Sequence, residues 1–221
     1  MELNILDETN SIANHFISEM RNIDIQSDRL RFRENMKRLG NIMAYEFSKT
    51  LNYDAQVIKT PLGSSTIQIP VNKLYLMTVL RAGLPFYNGF LEIFDQIDSG
   101  FIGAYRAEES SSSNAGSPEI NLDYIASDSL NDKEVLLVDP MLATGNSLVA
   151  AYKSILQTAG KPAKIHFFSI IGTEVGIDQL KNNIDIPMSI WVGSVDEKLN
   201  DKAYIIPGLG DAGDLSFGTK I

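Results

Sequence analysis

The sequence predicts an α/β fold: a mostly parallel, twisted sheet with helices on both faces. Two observations carry this. Short apolar runs bounded by turn residues recur along the chain, among them Lys73–Leu80 (KLYLMTVL), Glu134–Val138 (EVLLV) and Lys164–Ile171, and segments of helical spacing separate them. Apolar strands alternating with helices are what a parallel sheet buried on both faces requires. The chain has 221 residues, 44% apolar and 21% charged, enough for one domain, or one with an appended lobe, to bury its own core.

The elements follow in order. Asn10 or Ser11 is placed to cap a short helix carrying Ile12, Phe16, Ile17 and Met20. Ser27 is placed to cap a longer one, on which Met36, Leu39, Met43, Phe47 and Leu51 share a face at spacings of three and four. That stripe fits either a partner surface or the domain's own core. An N-terminal helical segment is therefore expected over about 1–52. After Pro70 come a strand at Lys73–Leu80, a helix at Leu84–Phe94 and a strand at Gly100–Tyr105. The stretch 107–118 (AEESSSSNAGSP) is too small and polar to bury apolar area, and reads as a passive loop or as a flap over a site. The strand Glu134–Val138, the helix Ser147–Ala159 stopped by Gly160, the strand Lys164–Ile171, the helix Glu174–Lys181 and the strand Ser189–Val192 complete the pattern. His166 and Trp191 lie inside apolar strands and read as packing residues.

Composition excludes several functions. With 19 Lys and Arg against 28 Asp and Glu, the net charge is −9, which argues against nucleic acid or anionic membranes as partners. The absence of Cys removes disulfides, zinc-thiolate sites and a cysteine nucleophile, and two His cannot make a His-rich metal site. The amino terminus MELNILDETN has neither a basic region nor a long apolar stretch, so the expected location is the cytoplasm.

The most informative stretch is Val135–Ser147 (VLLVDPMLATGNS). An apolar strand delivers Asp139 to its carboxyl end, where ligands sit in open α/β sheets. The loop Ala143-Thr144-Gly145-Asn146-Ser147 then opens a helix whose unpaired N–H groups and hydroxyls suit a phosphate. An ordinary capped turn has the same composition. Neither GxxxxGK[ST] nor GxGxxG is present in this stretch.

This stretch resembles the phosphoribosyl-pyrophosphate (PRPP) motif of type I phosphoribosyltransferases, and its Asp-Pro-Met-Leu-Ala-Thr-Gly form resembles that of the uracil phosphoribosyltransferase family. Three further segments agree: Val79-Leu80-Arg81-Ala82-Gly83-Leu84, Gly103-Ala104-Tyr105-Arg106, and Tyr204–Asp214 (YIIPGLGDAGD) followed by Phe217-Gly218-Thr219. The resemblance runs from about Arg29 to the last residue. It implies a type I phosphoribosyltransferase fold with a small hood or flap, and a pentosyltransferase making UMP and pyrophosphate from uracil and PRPP in pyrimidine salvage.

It also implies roles. Asp139, Pro140, Met141, Leu142, Ala143, Thr144, Gly145, Asn146 and Ser147 would hold PRPP, with Thr144–Ser147 on the 5-phosphate and Asp139 on the ribose hydroxyls, directly or through Mg²⁺ and its waters. Arg81 and Arg106 would hold the pyrophosphate through forked, charge-assisted hydrogen bonds, although by sequence alone a surface ion pair is the commoner reading of either. Ile205, Gly210 and Ala212 would contact uracil, and Asp211 would face the ribose and pyrophosphate. Asp139, Arg106 and Asp211 are the catalytic candidates. Mg²⁺ is the implied cofactor, with no direct protein ligand, and a homo-oligomer (dimer or tetramer) and a GTP effector are known among family members. Asn146 replaces the family's usual Gly, a substitution that Asn tolerates if the backbone needs φ > 0. Leu215 stands where Lys or Arg is usual, and Pro85 and Asn88 also depart from the pattern. A non-catalytic PRPP or nucleotide sensor on the same fold is the rival reading, because fold does not dictate function.

Overall fold

The computed structural model describes residues 1–106 and 120–219. The first part of the chain forms β1 (Glu2–Ile5), α1 (Ile12–Arg21), α2 (Arg29–Ser48), β2 (Tyr53–Thr60), β3 (Gly63–Pro70), β4 (Leu74–Leu80), α3 (Leu84–Ile93) and β5 (Asp98–Arg106). After the undescribed stretch come β6 (Ile120–Ala126), β7 (Glu134–Val138), β8 (Met141–Leu142), α4 (Asn146–Thr158), β9 (Lys164–Thr173), α5 (Glu174–Asn183), β10 (Met188–Asp196), β11 (Lys198–Leu199), β12 (Ile205–Ile206) and α6 (Ala212–Phe217).

The central sheet has the order β1-β10-β9-β7-β4-β5-β6, with β8 continuing beside β9. Its neighbouring strands are parallel except β6, which runs antiparallel to β5. Both faces are covered, as the apolar runs require. Leu76, Leu136, Val138 and Phe168 point to one face, against Met36, Leu39, Met43 and Phe47 of α2 and Phe86 and Phe90 of α3. Their strand neighbours Tyr75, Met77, Leu137 and Phe167 point to the other, against Leu148, Tyr152 and Ile155 of α4 and Ile177 and Leu180 of α5. Adjacent residues of a strand face opposite ways, so a run apolar at every position is what two covered faces demand. The α2 stripe is thus part of the chain's own core.

His166 and Trp191 are buried packing residues. The ring of Phe47 meets those of His166, Phe168 and Trp191 edge-on at 4.6, 5.4 and 5.9 Å. The Trp191 indole N–H donates to Ser189 Oγ (2.9 Å), which pairs with His166 Nδ1 (2.7 Å), while His166 Nε2 pairs with Glu134 Oε2 (3.1 Å). Burial holds the imidazole below its usual pKa, and the His166 hydrogen bond holds the Glu134 carboxyl low. A neutral His166 that donates from Nε2 and accepts at Nδ1 satisfies every member of this chain.

The structure departs from the sequence reading in four places. The segment read as helical opens with a strand, β1, which adds to the sheet edge beside β10. Asp28, not Ser27, caps α2: its Oδ1 accepts from the Arg31 N–H (3.1 Å), and Ser27 stands one position too early for a helix that starts at Arg29. The β2–β3 ribbon was not expected. It alternates weakly and packs little of itself against the core, so periodicity gives little sign of it. Strand β6 was also missed. The flap expected at 107–118 lies outside the described residues.

The helices that carry the site are set close together. At the α2–α3 crossing, Gly40 and Gly89 pack backbone to backbone, and a Cβ on Gly89 would lie 2.2 Å from Lys37 O. Gly89→Ala should therefore destabilise the fold by about 1–3 kcal/mol through overpacking. A urea melt checks this, and an unchanged midpoint would show that the two helices separate without cost.

Candidate active site

Parallel pairing places the carboxyl ends of β4, β5, β7, β9 and β10 along one edge. Arg81 follows β4, Arg106 ends β5, Asp139 follows β7 and Asp196 ends β10. The Arg106 side chain lies outside the described residues. The Arg81-Ala82-Gly83 turn presses against the end of β7: a Cβ on Gly83 would lie 2.0 Å from Thr78 Oγ1 and 3.2 Å from Val138 O. Arg81 and Asp139 thus leave neighbouring strands on either side of a tight contact.

The loop after Asp139 is held from below. The Pro140 carbonyl accepts from the Ile170 and Ile171 N–H groups (3.0 and 3.1 Å), Met141 and Leu142 pair with Ile171 and Gly172, and the Ala143 carbonyl accepts from Thr173 Oγ1 (2.6 Å). The chain then turns through Gly145 at φ 78, where a Cβ would lie 2.8 Å from Gly176 O, and α4 begins at Asn146. No side chain caps that helix, so its first turn offers amide donors to an anion. Thr144 Oγ1 accepts weakly from the Asn146 N–H (3.4 Å). Asn146 itself is helical and has no positive φ, so tolerance of left-handed backbone does not explain the departure from Gly; Gly145 bears that conformation. The Asn146 Oδ1 instead accepts from Gln179 Nε2 (3.0 Å), tying the loop to α5.

The carboxy-terminal segment closes the other side. Asp211 caps α6, its Oδ1 accepting from the Asp214 N–H (2.9 Å). Arg81 Nη2 donates to Asp214 Oδ1 (3.0 Å) and to the Gly218 carbonyl (2.6 Å), and Arg33 donates to the Ser216 carbonyl (2.7 Å). A Cβ on Gly213 would stand 3.1 Å from Asp211 Oδ1 and 3.8 Å from Arg81 Nε, so both groups lie beside Gly213, and the buried Nε has no hydrogen-bond partner among the described residues. Arg81 does sit in a half-exposed ion pair, but its partner belongs to the segment expected to hold the base. Ile205 and Ala212 are buried, Gly210 is exposed at φ 93, and Leu215 turns toward Gly210 and the core. An arginine at 215 would thus exchange packing for charge.

Sequence reading missed a second set. Arg21 Nη1 donates to Asp196 Oδ2 (2.8 Å) and the Gly208 carbonyl (3.0 Å), and Nη2 to Asp196 Oδ1 (2.7 Å) and Ser194 Oγ (3.0 Å). Asp196 follows an apolar strand just as Asp139 does, a signal that was available. Arg21 carries no local signal at all.

Asp139 accepts the Met141 N–H at 3.3 Å, and among the described residues no group of three or more His, Cys, Asp or Glu gathers as for a metal. Burial pushes its carboxyl up to about 6, against an ordinary 3.8.

A carboxylate and an uncapped helix start after one strand, an arginine after its neighbour, and a glycine-rich loop opposite are the arrangement that the phosphoribosyltransferase resemblance implies. Residues 8–219 match the family model described as uracil phosphoribosyltransferase. The protein named uracil phosphoribosyltransferase in Porphyromonas gingivalis is 42% identical over the whole of both chains. The one of that name in Methanothermobacter thermautotrophicus is 38% identical over 86% of this chain and 85% of its own. Among solved structures, the AQ2163 protein from Aquifex aeolicus superposes with a TM-score of 0.85 at 30% identity, covering 99% of each chain. The chain belongs to the uracil phosphoribosyltransferase family, a family of pentosyltransferases, and has the type I phosphoribosyltransferase fold.

Because Asp139 is held above its unfolded value, it favours folding fully below about pH 4 and loses that contribution as pH rises through about 6. Asp139→Asn should stabilise the ligand-free protein at pH 8 by up to about 3 kcal/mol, and much less at pH 4. Melting the two proteins across this range checks it; a stability difference independent of pH would show that Asp139 is not strained by burial.

Proposed function

We propose that the site transfers the phosphoribosyl group of PRPP to a ring nitrogen of uracil, releasing pyrophosphate and forming UMP. The observation that carries this reading is the bond from Arg81 to Asp214 and Gly218, which joins the PRPP side to the base side across 133 residues of chain. The bond from carbon to pyrophosphate breaks as the bond to uracil nitrogen forms, the proton of that nitrogen passes to the departing pyrophosphate or to water, and positive charge develops on the sugar ring in between. The protein's task is then to orient both partners and to neutralise the departing pyrophosphate. The start of α4 with Thr144 to Ser147 receives the 5-phosphate. Asp139 receives the ribose hydroxyls, and Arg81 and Arg106 turn to the pyrophosphate. Ile205, Gly210 and Ala212 bring backbone groups to the two carbonyls and two N–H groups of uracil, while Asp211 both caps α6 and faces the ribose.

Mg²⁺ would be held by substrate oxygens and water, with the carboxylate of Asp139 at the end of β7 as the hard oxygen donor nearest to it. When bound, it supplies countercharge to the pyrophosphate.

The β2–β3 ribbon supports self-association. Among the described residues its strands pair only with each other, and Tyr53, Val57, Leu62 and Ile67 are exposed. A lone two-stranded ribbon is marginal in water, so a second copy is the occupant proposed for it. Val57→Asp with Ile67→Asp should lower the mass in light scattering; an unchanged oligomer would place the contact elsewhere.

Uracil-dependent release of pyrophosphate from PRPP with Mg²⁺ tests the activity, and adding GTP to the same assay tests an effector. Arg81→Ala and Arg106→Ala should each lower kcat/KM by roughly 10²-fold, the scale of losing one charge-stabilising donor. Unchanged kinetics in both would return them to surface ion pairs. PRPP binding without uracil-dependent turnover would leave a sensor.

A further inference from the structure

We propose that Arg21, the last residue of the first helix, is a positioning residue for the base: it fixes the Gly208 peptide and through it the loop Pro207–Ala212. The inference rests on reading that loop as the uracil side of the site. Gly208 is at φ 56, and a Cβ there would lie 2.2 Å from Ile205 O, so only glycine fits. Glycine's own backbone freedom cannot hold the peptide in one orientation. Two outside groups do so. The Asp196 Oδ2 accepts the Gly208 N–H (2.8 Å), and Arg21 Nη1 donates to the Gly208 carbonyl (3.0 Å) while also binding Asp196. Both backbone polar groups of Gly208, one on each flanking peptide, are thereby engaged, and the three residues close a ring.

The clamp stands on rigid supports. Asp196 is 6% exposed and ends a strand buried in the sheet. The helix bearing Arg21 is seated by the buried Ile17 and Met20, by the bond from Asn35 to Glu19 (2.8 Å), and by Gln26, whose amide caps the Met20 and Arg21 carbonyls (3.0 and 3.2 Å). A planar guanidinium serves four bonds here that an ammonium cannot. It also neutralises Asp196, which would otherwise place an unpaired carboxylate near an anionic substrate. The polar partners of Arg21 all lie on the base side: Ser194, Asp196 and Gly208. None is Arg81, Asp139 or the start of α4. Its loss should therefore disturb uracil and spare PRPP.

The experiment varies uracil and PRPP separately on the full-length enzyme, with wild type, Arg21→Lys, Arg21→Gln and Asp196→Asn, and records thermal melts beside the kinetics. The expected result is a rise in KM for uracil of about 10-fold or more, the scale of one lost charge-assisted hydrogen bond, with KM for PRPP changed by less than about 2-fold. Arg21→Lys, keeping one bond, should fall between wild type and Arg21→Gln. Where the Arg21 variants fail to melt cooperatively, Asp196→Asn and Ser194→Ala carry the same comparison. An unchanged KM for uracil in a folded variant, or equal changes in both KM values, would overturn the proposal while wild-type turnover upholds the parent reading. A wild type inactive with uracil would overturn both.

Discussion

The sheet is buried on both faces, and the rest of the architecture follows from that. Leu76 and Phe168 fill one side, Met77 and Phe167 the other, and helices lie over each. Chemistry is excluded from the faces and confined to the carboxyl edge, where strands must stop, turn and expose backbone. Arg81, Asp139 and Asp196 are each the residue at or just beyond the last apolar position of a strand. A charged group can stand there because the strand before it carries the packing.

This constraint also explains which residues could be read in advance. The ends of β4 and β7 were legible because their apolar runs stop at Arg81 and Asp139, whereas β10 runs on past Val192 through Gly193 and Ser194 to Asp196, and its end was not. The motif after Asp139 was legible for the same reason, and its close turn at Gly145 followed from composition. Asn146 was read as part of the loop, but it is the first residue of α4. The positive φ falls one residue earlier, and the Asn side chain bonds Gln179, 33 residues away. The β2–β3 ribbon was invisible because it has no buried face to impose alternation, and β1 because four residues carry too little pattern. Arg21 was invisible for a different reason: its value lies wholly in partners 173 to 187 residues distant.

The two sides of the site are built on different physical terms. In the proposed site PRPP brings charge, and amide donors, Arg81 and the strained Asp139 would answer it. Burial raises that carboxyl to about 6, which opposes its charged form. A substrate offering hydroxyls or a cation there would reverse this penalty. On the proposed base side the ligand is neutral and small, and its recognition would fall to backbone, which has no charge to align it. Orientation there must come from outside the loop.

That difference makes the link between the sides important. Arg81 is engaged by Asp214 and Gly218, while Asp211 caps the same short helix. Arg81 spends only Nη2 on that segment, and among the described residues its Nη1 and its buried Nε carry no hydrogen bond. In the proposed site those remaining donors would answer the pyrophosphate while Nη2 stays on Asp214 and Gly218. Arg33, bonded to the Ser216 carbonyl from α2, anchors the same helix. The segment proposed to receive uracil would therefore keep its support when PRPP binds, because one guanidinium has donors enough for both sides.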